Sequence, residues 1–238
     1  MLTSNNFTDA SLSGVGQILL THEASFNSNT ALGLDFATFW TDTRGNDGPR
    51  NPADGDAGDF IGVNSFIGAN SPDVAADGSA VVAGVEQNFE FNDGDGRLDL
   101  VFGDVDTTGF TNRTVSFNYW ISDLGFEAGD LLEVTLTDGV NNHVTTFGDV
   151  QLEANASADD GTANWRTQDF DLEALGLTGN TITLTISVDN NANDENIFVD
   201  NILFAGDVNG ATIPEPPAWI LAALAVPAAL MLRRRRVA

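Results

Sequence analysis

Thr181-Ile182-Thr183-Leu184-Thr185-Ile186-Ser187-Val188 decides the fold, because apolar and hydroxyl residues alternate along it without a break. Successive side chains of a strand point to opposite faces, so this stretch buries Ile182, Leu184, Ile186 and Val188 and leaves its threonines wet. Working outward, the same period of two returns twice. Val115, Phe117, Tyr119 and Ile121 alternate with Ser116, Asn118 and Trp120, and Leu132, Val134 and Leu136 alternate with Glu133, Thr135 and Thr137. Clusters of Gly, Asp and Asn punctuate the strands at Gly125 to Gly129, Asp138-Gly139, Asp159-Asp160-Gly161, Gly176 to Gly179 and Asp189 to Asn196. Half-buried strands at this spacing, with only Asp171 to Leu175 resembling a helical turn, predict an all-β fold, an antiparallel β-sandwich. Further strands are expected at Gly16 to Thr21, Ala80 to Phe91 and Arg97 to Gly103, with a loop-rich insertion from Asp42 to Asp59.

Composition narrows the function. The 238 residues carry a net charge of -26, contain no cysteine and include 16 phenylalanines, enough for a substantial core. No lysine is present, and before residue 214 the only cations of this kind are Arg44, Arg50, Arg97, Arg113 and Arg166. The last 25 residues hold four arginines against one glutamate, which leaves -29 for the rest. Such a surface repels nucleic acid and suits calcium binding or hydration in salty surroundings. The absence of cysteine excludes disulfides, thiol nucleophiles and cysteine-ligated zinc.

The C-terminus has three ordered parts: Pro214-Glu215-Pro216, an uncharged apolar run from Ala218 to Leu232, and Arg233, Arg234, Arg235 and Arg236. The prolines stop a helix from running back into the preceding domain. Trp219, Ile220, Leu221, Leu224, Val226, Leu230 and Leu232 supply a lipid-soluble segment, a short transmembrane helix whose arginines stay on the cytoplasmic side. This order resembles the PEP-CTERM sorting signal of Gram-negative bacteria. The resemblance implies an exosortase as partner, transient residence in the inner membrane, and release to the cell surface or extracellular matrix. That topology needs an export signal, and Met1 to Phe7 has neither a basic start nor an apolar centre, so the signal is expected upstream of Met1. The expected organisation is residues 1–14 as a leader remnant or disordered segment, 15–205 as the sandwich, 206–213 as linker and 214–238 as sorting signal.

A second, weaker resemblance covers residues 15 to 205. Phe198-Val199-Asp200-Asn201-Ile202, after an Asn-rich loop and Glu195, looks like the last strand of extracellular jelly-roll modules related to carbohydrate-binding domains. The resemblance implies a jelly-roll-like sandwich and a structural Ca²⁺ held by Asp200 with Glu23. Separately, Asp93, Asp95 and Asp99 around Gly94 and Gly96 can converge on one hard cation, although Asp-Gly is equally a hairpin turn signal.

No catalytic constellation assembles from the sequence. His22 and His143 have no metal or triad spacing, His143 reads as a turn residue, and no Gly-x-Ser-x-Gly elbow is present. Threonine rows at Thr135, Thr137, Thr181, Thr183 and Thr185 are what strand propensity gives on a wet face. Trp40, Trp120 and Trp165 are candidate sugar-stacking residues, and Trp120 is opposite in phase to Tyr119. The expected function is a secreted, non-enzymatic β-sandwich, processed at its tail and associated with the surface or its exopolysaccharide. The alternative is a carbohydrate-binding module for a matrix polysaccharide, with Trp40 and the 42–59 loop near its site, and a polysaccharide-active enzyme ranks third.

Overall fold

The computed structural model describes residues 3–5, 25–29, 34–41, 60–64, 88–92, 94, 96–121, 125–155, 165–192 and 195–208. Among these described residues twelve strands follow in order: β1 (Thr3–Asn5), β2 (Ser25–Asn29), β3 (Leu34–Thr41), β4 (Phe60–Asn64), β5 (Asn88–Asn92), β6 (Gly96–Asp106), β7 (Phe110–Ile121), β8 (Leu131–Thr137), β9 (Asn142–Gly148), β10 (Arg166–Asp171), β11 (Thr181–Asn190) and β12 (Asn196–Val208). One short helix, α1 (Asp149–Asn155), lies between β9 and β10 and buries only Leu152. The first sheet has the order β10-β7-β12-β5-β4, with β1 also on β12, and the second has the order β2-β3-β6-β11-β8-β9. The registered pairs are antiparallel. The all-β, two-sheet expectation therefore holds. By packing the chain divides into Met1–Asp207 and Val208–Ala238.

Alternation sets the core. Ile182, Leu184, Ile186 and Val188 of β11, Leu132, Val134 and Leu136 of β8, and Val115, Phe117, Tyr119 and Ile121 of β7 all enter it. Aromatic contacts join the two sheets: Phe36 of β3 meets Phe89 of β5 edge-on at 5.7 Å, and Tyr119 of β7 meets Phe147 of β9 at 6.0 Å. Each fully buried side chain of this size contributes about 1.5–3 kcal/mol.

Two strands change phase midway. On β12 the core positions run Ile197, Val199, then Ile202, Phe204, and the shift falls at Asn201, whose φ is 52°. On β6 they run Leu98, Leu100, Phe102, then Val105, with Asp104 at φ 59°. Asn and Asp tolerate the left-handed region better than other non-glycine residues, so the extra residue of each bulge is placed on one of them.

Several expectations are refined. β5 and β6 belong to different sheets, so Asn92 to Gly96 is a crossing between sheets and not a hairpin. His143 is a strand residue of β9, with Nε2 3.0 Å from Thr145 Oγ1 and its ring edge-on to Phe170. The expected strand at 16–21, residues 80–87 and the 42–59 insertion lie outside the described residues. β12 continues to Val208, into the expected linker. Among the described residues no helix is long and apolar enough to cross a membrane, and residues 214–238 lie outside that description.

One polar device holds the second sheet's end. Asp138 accepts backbone N–H groups from Val140 at 2.9 Å, Asn141 at 2.7 Å and Gly179 at 2.9 Å, which holds its carboxyl well below the usual carboxylate range. A Cβ on Gly179 would sit 2.8 Å from the Asp138 backbone oxygen, so glycine is required there. A carboxyl whose pKa is lowered on folding adds stability above its unfolded pKa and loses it as pH falls through the folded one. Asp138→Ala should therefore cost about 2 kcal/mol at pH 7, from lost charge-assisted hydrogen bonds. In urea titrations that penalty should shrink as the pH falls below the ordinary aspartate range.

Candidate functional site

The outward side of the first sheet collects the aromatic and polar residues that the core rejects. On β5 the core takes Phe89 and Phe91, so Asn88, Glu90 and Asn92 point the other way. On β12 it takes Ile197 and Val199, which turns Asn196, Phe198 and Asp200 to that same side. The two strands are in register there, Asn196 opposite Asn92 and Phe198 opposite Glu90. On β7, beside β12, Phe117, Tyr119 and Ile121 enter the core and Trp120 turns outward. The Trp120 and Phe198 rings meet at 5.2 Å with their planes inclined by 50°.

This face is a covered one. Trp120 is 5% exposed, Phe198 0% and Asn196 1%, and Glu90 and Asp200 are buried as well. Five polar atoms on it have no hydrogen-bond partner: Asn88 Oδ1, Asn92 Oδ1, Trp120 Nε1 and both side-chain amide atoms of Asn196. A buried polar atom left unsatisfied costs about 1–3 kcal/mol. Five of them around one aromatic pair make a surface that gains by taking up water or a hydroxyl-rich guest. Asp200 has a local duty too, since its Oδ1 accepts the Asn201 N–H at 2.7 Å and so holds the β12 bulge.

The residues singled out in the sequence are dispersed. Trp120 stands at the centre of this face and Asp200 lies on it. Trp40, on β3 of the other sheet, is in register with Leu98 of β6, and its side chain lies outside the described residues. Asp99 is occupied on β6: Arg97 Nε donates to it at 3.0 Å and Ser187 Oγ at 2.5 Å, while Arg97 also reaches Glu133 at 2.7 Å. Glu23, Asp93, Asp95 and the tail residues Pro214 to Arg236 are outside the described residues. Among the described residues no group of three or more His, Cys, Asp or Glu side chains is gathered as for a metal ion. Asn88, Glu90, Asn92, Asn196 and Phe198 went unrecognised in the sequence. Their signal is the polar–apolar alternation of Asn88-Phe89-Glu90-Phe91-Asn92, which shows an outward polar row but not what stands beside it.

No family model matches the chain, and no curated protein does. Among solved structures, it is similar to the carbohydrate-binding module TmCBM61, solved with β-1,4-galactotriose: 14% identity over 77% of this chain and 88% of that one, TM-score 0.39. It is also similar to the family 30 carbohydrate-binding module of a Clostridium thermocellum cellulosomal cellulase, at 11% identity over 82% and 98%, TM-score 0.38. A cyclase from Fischerella sp. gives 13% identity over 87% and 96%, TM-score 0.42. Binding modules and an enzyme thus share this distant likeness, which leaves function to be argued from the site itself.

Proposed function

We propose that this chain is an exported, non-catalytic carbohydrate-binding β-sandwich that holds a neutral polysaccharide of the extracellular matrix on the outward face of its first sheet. The observation that supports it most is the Trp120–Phe198 pair set among buried amide and indole atoms that lack partners. A pyranose has apolar C–H faces that lie against aromatic rings and vicinal hydroxyls that both donate and accept. Asn88, Asn92 and Asn196 offer amides suited to such hydroxyl pairs. Glu90 and Asp200 on the same face, within a domain of charge -29, disfavour uronates and sulfated sugars. A glycan array probed with the full chain in mild detergent should show retention on neutral glycans and none on polyuronates. Turnover of any retained glycan would replace binding by catalysis as the reading.

Delivery is a separate part of this proposal, supported by the order of Pro214-Glu215-Pro216, apolar run and arginines. An exosortase would recognise that tail in the inner membrane and release the domain to the cell surface. Changing Pro214, Glu215 and Pro216 to alanine should leave an unprocessed, membrane-held form in an exosortase-bearing host. Identical processing of mutant and parent would remove the sorting role and leave the tail as a plain anchor.

A further inference from the structure

β9 is the last strand of the second sheet, and among the described residues it pairs only with β8. The Asp138 N–H donates to the Asn141 carbonyl at 3.1 Å, which makes these two a hydrogen-bonded pair at the head of the β8–β9 hairpin. Such pairs alternate along an antiparallel ladder, so Leu136 with His143, Val134 with Thr145 and Leu132 with Phe147 bond across to β8. Asn142, Val144 and Thr146 therefore turn their backbone N–H and C=O groups away from β8, toward the open edge. Their side chains are the exposed ones of the strand. Val144 is 51% exposed, and in sequence it stands between Val140 of the turn at 87% and Val150 of α1 at 70%.

An open edge is normally guarded by charge or proline, since its unpaired backbone is a template for another strand. β10, at the end of the first sheet, is guarded by Arg166, Asp169 and Asp171, all exposed. β9 has no such guard: in a chain of net charge -26, Gly139 to Gly148 holds no Asp, Glu, Arg or Pro. We propose that β9 is a self-association edge, on which β9 of a second copy pairs antiparallel about a two-fold axis at Val144 and joins the two second sheets into one. The edge is complementary to itself. With the axis at Val144, that residue faces its own counterpart and Asn142 faces Thr146 of the second copy, so every outward backbone group of the three meets a partner. The two valines pack against each other across the new ladder. Val140 comes opposite Gly148 of the second copy, which has no side chain to obstruct it. The lack of charge favours a second copy as the occupant, because two strongly acidic chains can approach closely only along a neutral stretch.

The chain contains no cysteine, so one introduced thiol reports the contact directly. In the full chain in mild detergent, Val144→Cys should give a disulfide-linked dimer under gentle oxidation, because facing residues of such a pair lie within disulfide reach. Thr185→Cys, on the same face of the sheet but in the interior strand β11, should not. Sedimentation of the parent should show a monomer–dimer equilibrium that NaCl strengthens, since screening weakens the repulsion between two acidic chains. Val144→Pro removes an N–H that β8 does not use, so the hairpin should fold with a Tm close to the parent's. It should weaken association by about tenfold or more, because each copy loses a backbone hydrogen bond. Val144→Lys leaves the backbone intact and sets two like charges opposite each other, so it should weaken association likewise. A parent that stays monomeric at every salt and protein concentration would overturn the proposal. So would a dimer that both variants leave intact, or one that Thr185→Cys links as readily as Val144→Cys, since either would place the contact elsewhere.

Discussion

Trp120→Ala should abolish detectable glycan retention. Loss of one stacking aromatic weakens sugar binding by roughly 1–3 kcal/mol, and Phe198 then loses its ring partner as well. Because Trp120 is buried, the same change should also cost about 3–5 kcal/mol of stability. Trp120→Phe separates the two effects. It keeps a ring against Phe198 but removes the unpartnered Nε1 donor, so it should stay folded and bind about three- to tenfold more weakly, the value of one neutral hydrogen bond. Affinity electrophoresis on the glycan found by array, alongside thermal unfolding, measures both quantities. Parent-like binding by Trp120→Ala would place the sugar elsewhere.

Arg113→Ala should be the most destabilising change distant from that face. Arg113 is buried at the start of β7 and donates to four acceptors: Glu173 Oε1 at 2.7 Å, Thr107 Oγ1 at 3.0 Å, Gly179 O at 2.6 Å and Leu177 O at 2.7 Å. It thereby clamps the β6–β7 turn to the segment that leads into β11. Glu173 is partly exposed and can return to water, but the carbonyls of Leu177 and Gly179 lose charged donors where solvent has little access. The expected cost is about 3–5 kcal/mol, since a buried guanidinium removed from its acceptors is seldom replaced. That corresponds to a fall in Tm of roughly 10 °C for a domain of this size. Arg113→Lys should recover less than half, because an ammonium cannot span the fork of acceptors. A loss under 1 kcal/mol in urea titration would show that water replaces the clamp.

The parts of the fold legible in the sequence are those where one face is buried and the other wet. β7, β8 and β11 fall there, and their inward residues are the ones the alternation named. β9 escaped because His143, Val144 and Thr145 follow an Asn pair and have no strong apolar rhythm, their partners being supplied by β8. Helix α1 escaped because a single buried Leu152 gives no period of 3.6. The bulges at Asp104 and Asn201 depend on a backbone conformation that composition alone does not announce. The crossing after Asn92 looked equally like a hairpin, since an Asp-Gly step is locally the same whether the next strand joins the same sheet or the opposite one.

For the candidate site, Trp120 was legible as a residue out of phase with the core, but its setting was not. Phe198 and Asn196 reach it only through the placement of β12 between β7 and β5, a tertiary fact. The Phe-Val-Asp-Asn-Ile stretch carried more than its resemblance implied. Phe198 supplies half of the aromatic floor, and Asp200 and Asn201 make the bulge that returns Ile202 and Phe204 to the core.

The most direct test of glycan recognition on this face is the ¹⁵N–¹H resonance of the Trp120 indole during titration with the neutral oligosaccharide selected by array. The chain has four tryptophans, so the signal can be assigned by its disappearance in Trp120→Phe. A buried Nε1–H that lacks an acceptor and then gains a sugar hydroxyl should shift saturably, with the same Kd as binding measured by calorimetry. Saturable binding that leaves this resonance in place, or no binding to any neutral glycan, would contradict the account.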